Sequence, residues 1–155
     1  MSLAVSAPGR ADLRLVYLLL DVNGTLTERG RLIDGVLSRI DELRSVLEIR
    51  LLSADTFGTL DNVARQLGGL PVDRIASGED KAALAAKIGA QHCAAIGNGA
   101  NDELMLRTVA LGFAVLGREG ASPRTLAAAD IVTPSIIDAL DLLREPRVLT
   151  ATLRS

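Results

Sequence analysis

Short apolar runs that close on small polar residues recur along this chain, and each is followed by apolar residues spaced three and four apart. The runs are Leu13–Leu20, Ile49–Leu52, Val72–Ala76, Cys93–Ile96, Gly112–Leu116 and Ile131–Thr133. After the first come Val36, Leu37, Ile40, Leu43 and Leu47, the stripe of a helix lying on a sheet, and after the second Phe57, Leu60, Val63, Ala64 and Leu67. Helical stretches follow at Ala82–Ile88, Asp102–Val109 and Pro123–Ala128, and a last helix is opened by Ser135 with Asp138 three residues on. Strand and helix in strict alternation form parallel pairs joined by crossover helices, so the expected class is α/β with a mostly parallel sheet. Ahead of this series, Ala7-Pro8-Gly9-Arg10 has the residues of a type II turn and predicts an N-terminal hairpin.

The chain has 155 residues with 48% hydrophobic and 23% charged side chains, which suits one domain with a core of its own. The expected unit spans 1–155, with 1–12 as the hairpin strand and turn and 147–155 as a C-terminal tail. A net charge of −2 and 2% aromatics offer neither a phosphate-backbone footprint nor a stacking platform, so no nucleic-acid partner is expected. No run approaches the roughly 20 apolar residues of a membrane helix. The single Cys93 excludes an internal disulfide and a thiolate zinc cage, and His92 is the only histidine. These features fit a soluble protein of a reducing cytoplasm. Lys81 and Lys87 are the only lysines among 17 basic residues.

In an open parallel sheet, ligands collect where the strands end. The chemistry-bearing residues stand there: Asp21-Val-Asn23-Gly24-Thr25 after the first core strand, Ser53-Ala54-Asp55-Thr56 after the second, and Gly97-Asn98-Gly99-Ala-Asn101-Asp102 after the fourth, with Lys81 at a helix start. A carboxylate attacks phosphorus only when the phosphoryl oxygens are neutralised, by a divalent cation, a fixed ammonium and backbone donors at a glycine turn. Each has a candidate here. Gly24 and Thr25 let the chain turn and aim N–H groups at an anion, while Asp102 offers a hard oxygen to Mg²⁺. Taken singly, Asp21 is also explained as a turn residue, Ser53 and Lys81 as surface or capping groups, Asp55 as a helix cap, and His92 and Cys93 as structural.

These motifs closely resemble, in order, those of the haloacid dehalogenase-like (HAD) superfamily: Asp21-Val-Asn-Gly-Thr-Leu-Thr, Ser53, Lys81, and Gly97-Asn-Gly-Ala-Asn-Asp102, separated by 32, 28 and, up to Asn98, 17 residues. The stretch Gly97–Thr133 looks most like the phosphorylation domain of P-type ATPases and their soluble kin. The resemblance implies a three-layer Rossmann-like core and Asp21 as nucleophile. It also implies a phosphoryl group held by Gly24, Ser53, Ala54, Lys81 and Asn101, and Mg²⁺ among Asp21, the Asn23 carbonyl, Asn98 and Asp102. Twenty-eight residues between Ser53 and Lys81 leave no room for the pumps' nucleotide-binding and membrane parts, so ion pumping is excluded. The 32 residues after Asp21 leave no room for a cap, and an uncapped site implies completion by a homo-oligomer, dimer or tetramer. A receiver domain, the other fold with aspartate, hydroxyl and lysine at strand ends, needs its acidic pair first and its phosphorylated aspartate later, the reverse of this order.

Two positions depart from the family pattern, with Asn23 and Asn98 where aspartate is usual. Asn23 stands at the acid/base position and cannot deliver a proton, a contribution worth about 10²- to 10⁴-fold. Asn98 offers a metal a neutral carbonyl in place of a charge. The expected activity is therefore a slow, Mg²⁺-dependent phosphatase acting on a phosphorylated substrate through an aspartyl phosphate. The alternative is a degenerate domain that binds phosphorylated ligands or regulates a partner. Glu28-Arg29-Gly-Arg31, in a flap over the site, is either an anion-steering element or a solvated loop.

Overall fold

A computed structural model describes residues 1–55 and 58–155. Six parallel strands form the central sheet: β3 (Tyr17–Asp21), β6 (Glu48–Ser53), β7 (Val72–Arg74), β8 (Cys93–Gly97), β9 (Leu111–Val115) and β10 (Ile131–Thr133). Their order across the sheet is β10-β9-β8-β3-β6-β7. Two antiparallel hairpins precede and follow β3: β1 (Leu3–Val5) with β2 (Leu13–Leu15), and β4 (Thr27–Glu28) with β5 (Arg31–Leu32).

Both sheet faces are covered, which is why the central strands read as continuous apolar runs. Leu18 and Leu20 of β3 face a core shared with α1 (Val36–Leu43), α2 (Leu60–Gln66) and α6 (Ile136–Arg144), while Leu19 between them faces α3 (Gly78–Ile88) and α4 (Glu103–Thr108). Helix α5 (Pro123–Ala128) lies against α4 and β9. Period-two alternation thus sends neighbouring leucines of one strand into opposite layers.

Chain order places the site. From β3 the strands are added outward on one side as β6 and β7, then the chain returns to the other side of β3 and adds β8, β9 and β10. The loops after β3 and β8 therefore part to opposite faces and leave a crevice at the carboxyl ends of these two neighbours. Asp21 ends one strand and Gly97-Asn98 the other. The segment between β3 and β6 holds only the β4–β5 flap and α1, and among the described residues no cap covers the crevice.

Several boundaries differ from the sequence expectations for local reasons. The run 13–20 is two strands, because β2 pairs with β1 before β3 enters the sheet at Tyr17. Helix α1 begins at Val36 rather than Ile33, after Gly35 at φ +90°. Helix α3 begins at Gly78 rather than Ala82, because the Ser77 side chain caps it. The helix expected at 102–109 is a 3-10 turn, Ala100–Asp102, followed by α4. Phe57, expected on the buried side of α2, lies outside the described residues.

The tail at 147–155 is a correction: it is mostly helix α7 (Pro146–Leu153), with Leu149 and Leu153 buried. Pro146 occupies the first helical turn, where its missing N–H costs nothing, and the helix docks on α6 and β1. Thr150 donates to the Ser6 carbonyl at 2.9 Å and the Ser155 N–H to Pro8 at 3.2 Å. The partner that orders this segment is about 140 residues away in sequence, beyond any local signal.

Candidate active site

Asp21 ends β3, four of whose five residues are buried, and is itself 6% exposed. Just past it the chain folds onto one acceptor: the Val22 carbonyl takes N–H bonds from Thr25, Leu26 and Thr27 at 3.1, 2.9 and 3.2 Å. Gly24 makes this possible at φ +80°, and a Cβ there would stand 2.5 Å from Asn98 Nδ2. The turn brings the buried Thr25 hydroxyl back to Asp21 Oδ2 at 2.9 Å and to within 3.2 Å of Asn98 Oδ1. Sequence reading gave Thr25 only a backbone role; its hydroxyl bridges the two strand ends, and the signal for it was a Thr four residues after the candidate nucleophile.

Lys81 approaches from behind. Ser77 Oγ accepts the Asp80 N–H at 3.1 Å, fixing the first turn of α3. That turn puts Lys81 Nζ, fully buried, 2.9 Å from Asp21 Oδ1 and 2.7 Å from Asp102 Oδ1. The other oxygen of Asp102 accepts the N–H groups of Asn98 and Gly99 at 3.0 and 3.1 Å. Gly97 leaves room for this carboxyl, since a Cβ would meet it at 2.5 Å. Among the described residues no buried side-chain nitrogen or oxygen lacks a partner, as burial of such charges demands.

Above this layer lies a cavity of about 190 Å³ lined by Asp21, Asn23, Ser53, Ala54, Asn98, Gly99 and Asn101. Lys81 and Asp102 form its support and are fully buried. Burial, with the nearby charge of Asp102, pushes the Asp21 carboxyl up to about 7 despite Lys81 and Thr25 favouring its charged form. Burial opposes the charge on Lys81, but Asp21 and Asp102 together outweigh it and raise the ammonium's pKa.

The other expected residues fall around the cavity with differing freedom. Ser53 Oγ accepts the Asp55 N–H at 2.9 Å and lies 3.5 Å from Asn23 Nδ2, which leaves its own proton for a ligand. Asn101 Nδ2 lies 3.4 Å from the Ala76 carbonyl, at the rim. The N–H groups of Asn23 and Ala54 have no partner among the described residues. Gly24 and Thr25 correct the expectation of anion-directed N–H groups: theirs donate to Thr27 and Val22 inside the turn, so Gly24 serves by its shape. Asp55 is likewise committed, accepting the Leu60 N–H at 2.9 Å and pairing with Arg74 at 2.6 Å; the bond to Leu60, then Arg74, holds its carboxyl below the usual range. His92 Nδ1 meets the Arg14 carbonyl at 2.9 Å, and burial pushes the Cys93 thiol up to about 11. Both sit at the opposite end of β8.

Asn98 is oriented by Nδ2, which donates to the Gly120 carbonyl at 3.0 Å and leaves Oδ1 facing Thr25 and Asp21. A hard cation that keeps several waters fits oxygen donors of this kind. Asp21 and Asn98 Oδ1 supply them from the side chains. No cluster of three or more His, Cys, Asp or Glu suited to a metal occurs among the described residues. Asp102, with three N–H donors already on its two oxygens, steadies the loop and the lysine.

Residues 76–139, which include Lys81 and the whole loop after β8, match the family model of haloacid dehalogenase-like hydrolases. The match takes in 64 of the 155 residues. An uncharacterized protein of Methanocaldococcus jannaschii is 53% identical to it over 60 residues, which span 39% of this chain and 64% of that protein. The HAD-like fold extends to solved structures. A cobalt-bound deoxy-D-mannose-octulosonate 8-phosphate phosphatase from Haemophilus influenzae superposes with a TM-score of 0.71 at 18% identity, covering 88% of this chain and 91% of that one. The Moraxella catarrhalis 3-deoxy-D-manno-octulosonate 8-phosphate phosphatase, in complex with magnesium and phosphate ions and KDO, has a TM-score of 0.66 at 18% identity, covering 88% and 90%. A zinc-transporting PIB-type ATPase shares the fold with a TM-score of 0.64 at 23% identity over 78% of this chain and 20% of the pump. No described helix of the chain is long and apolar enough to cross a membrane.

Proposed function

We propose that this HAD-like chain is a Mg²⁺-dependent phosphomonoesterase that works slowly through an aspartyl phosphate on Asp21. The observation that carries this reading is the placement of the Asp21 carboxyl: it lines a polar cavity at the switch point of the sheet, with the buried Lys81 ammonium 2.9 Å behind it. The metal-bearing phosphatases of the same fold support a divalent cation. When bound, Mg²⁺ would be held by Asp21, the Asn23 carbonyl and Asn98, and would offset the charge of the phosphoryl oxygens. Ser53 and the N–H groups of Asn23 and Ala54 hold those oxygens, and Asn101 closes the rim. An oxygen of Asp21 forms a bond to phosphorus as the bond to the leaving oxygen breaks. Water then attacks the same phosphorus and releases phosphate with Asp21 restored.

Asn23 and Asn98 set the pace. The Asn23 amide can donate a hydrogen bond to the leaving oxygen but no proton, so substrates whose leaving group departs as an anion are favoured. A HAD site with four carboxylates and one lysine carries −3, whereas Asp21, Asp102 and Lys81 sum to −1; the present site repels a phosphate dianion less and holds a cation less tightly. Likeness to one domain of a P-type pump supports a place among the soluble kin of those enzymes. The open crevice supports completion by a second copy of the chain.

The test is the initial rate of p-nitrophenyl phosphate hydrolysis with and without Mg²⁺ for the wild type, Asp21→Ala and Asn23→Asp. Metal-dependent turnover, lost in Asp21→Ala and raised about 10²-fold in Asn23→Asp, is the expected outcome. No turnover in the wild type or in Asn23→Asp, with inorganic phosphate still bound, would instead support a non-catalytic phosphate-binding domain. One observation favours that second reading: the Gly120 carbonyl, 3.0 Å from Asn98 Nδ2, suits an amide and would face a carboxylate oxygen unfavourably.

A further inference from the structure

The flap beside the phosphoryl cavity is built around arginines. β4 and β5 pair Thr27 with Leu32 and Glu28 with Arg31, leaving Arg29-Gly30 as a two-residue tip. Both tip residues have positive φ, +50° at Arg29 and +82° at Gly30. This is the type I′ geometry that asparagine or glycine ordinarily supplies at the first position. An arginine there stores strain, and such strain persists where the side chain or its placement has a use.

The carboxylates around the flap are already engaged. Glu119 Oε2 accepts the Arg29 backbone N–H at 2.9 Å, and Glu28, across the strand pair from Arg31, lies 3.9 Å from the exposed Arg118 guanidinium. The guanidinium groups of Arg29 and Arg31 pair with no carboxylate among the described residues, unlike the flap-independent Arg39, Arg50, Arg74 and Arg144. Glu28, Arg29, Arg31, Arg118 and Glu119 line a cleft of about 580 Å³, with a net charge of +1. A second cleft of about 490 Å³ shares Glu28, Arg31 and Arg118 and adds Asp34 at its far wall.

The cleft and the phosphoryl cavity share no lining residue, but the segment 117–120 touches residues of both. Gly120 holds Asn98, Glu119 holds the flap tip, and Gly117 between β9 and these residues packs toward the Gly24 carbonyl. A phosphomonoester seated at Asp21 would bring its non-reacting end to the flap if it left the cavity on the side of residues 117–120. The cleft has three times the volume of the cavity that takes the phosphoryl group.

We propose that Arg29 and Arg31 bind a second oxyanion, a carboxylate or a further phosphate, at the non-reacting end of the substrate. Planar guanidinium groups match both anions by paired N–H donors. The inference rests on the phosphatase reading for the seat of the reacting phosphate, and binding rather than turnover is the readout that separates the two.

Calorimetric titrations in Mg²⁺ would compare 3-phosphoglycerate with glycerol 3-phosphate, and fructose 1,6-bisphosphate with fructose 6-phosphate, on the wild type and on Arg29→Gln/Arg31→Gln. Inorganic phosphate is the control. The expected result is at least about tenfold tighter binding of the member with a second anionic group in one or both pairs, a preference lost in the double variant while inorganic phosphate binds unchanged. The carboxylate and bisphosphate arms show which anion the flap takes. Equal affinities within both pairs, or a preference that survives the double variant, overturn the inference. If inorganic phosphate and the esters with one anionic group fail to bind, the phosphatase reading falls; Arg-dependent binding of an ester with two anionic groups would then uphold the flap site alone, and absence of all binding would overturn both.

Discussion

Asn98 shows how much one atom's chemistry is set by its surroundings. Its Nδ2 donates to Gly120 and its Oδ1 faces Thr25 and Asp21, so an aspartate there would lose a donor and point an oxygen at a carbonyl. Leaving a buried acceptor unpaired costs roughly 1–3 kcal/mol. Asn98→Asp is therefore expected to lower the melting temperature of the metal-free protein, and Mg²⁺ is expected to restore much of the loss by using the added charge. Differential scanning calorimetry with and without Mg²⁺ measures both effects, and an unchanged melting temperature would contradict the role given to Gly120. Asp21 yields a pH prediction. Burial pushes its carboxyl up from 3.8 in the exposed chain to about 7 in the folded one. Between these values the native state holds a proton that the unfolded state has released, so this group's contribution makes stability fall as pH rises from about 4 to 7 and then level off. Asp21→Asn removes that contribution. Its melting temperature in the absence of metal should gain on the wild type across this window and keep a constant lead above it; a lead that shrinks with rising pH would count against the assignment.

At the scale of elements, the site depends on how α3 and the turns on either side of the crevice are pinned. Ser77 caps the helix that carries Lys81. Ser77→Ala is expected to cost about 1 kcal/mol and Ser77→Gly only a few tenths. Urea denaturation distinguishes the two, and equal losses would show that the hydroxyl is not the capping group. The loop after β8 is fastened from two directions. Thr125, buried on α5, donates to the Gly99 carbonyl at 2.7 Å, and the Ser122 N–H donates to Asn98 at 2.9 Å. Four residues from one region of sequence, Glu119, Gly120, Ser122 and Thr125, thus position the loop, the amide of Asn98 and the flap. Gly120 and Ser122 act through a backbone carbonyl and N–H that any sequence would provide, so their spacing carries no motif, while Glu119 and Thr125 act through side chains whose partners lie far away in sequence.

The whole molecule is closed by its ends. Helix α7 buries Leu149 and Leu153 beside α6 and the N-terminal hairpin. Burial of each such side chain stabilises by about 1.5–3 kcal/mol, against a total of about 5–15 kcal/mol for an ordinary domain. A chain ending at Glu145 should accordingly be markedly destabilised while the crevice keeps its residues, and the measurement is the denaturant midpoint; an unchanged midpoint would show that α7 adds nothing to the core. The same contrast separates what was legible from what was not. The parallel α/β class, the strands near 93–97, 111–115 and 131–133, and the meeting of Asp21, Ser53, Lys81, Asn98 and Asp102 at one end of the sheet were readable, because apolar periodicity dictates element type and sheet topology dictates where strand ends gather. Local pattern could not place α7, whose partner lies at the other terminus, nor show that Lys81 and Asp102 lie beneath the cavity rather than on its wall. Nor could it assign the Gly24 N–H to the turn, or aim the Asn98 amide by a carbonyl from 22 residues on. Those outcomes belong to tertiary structure because hydrogen-bond partners and burial are settled by which distant segments share a space, and sequence order alone does not state that.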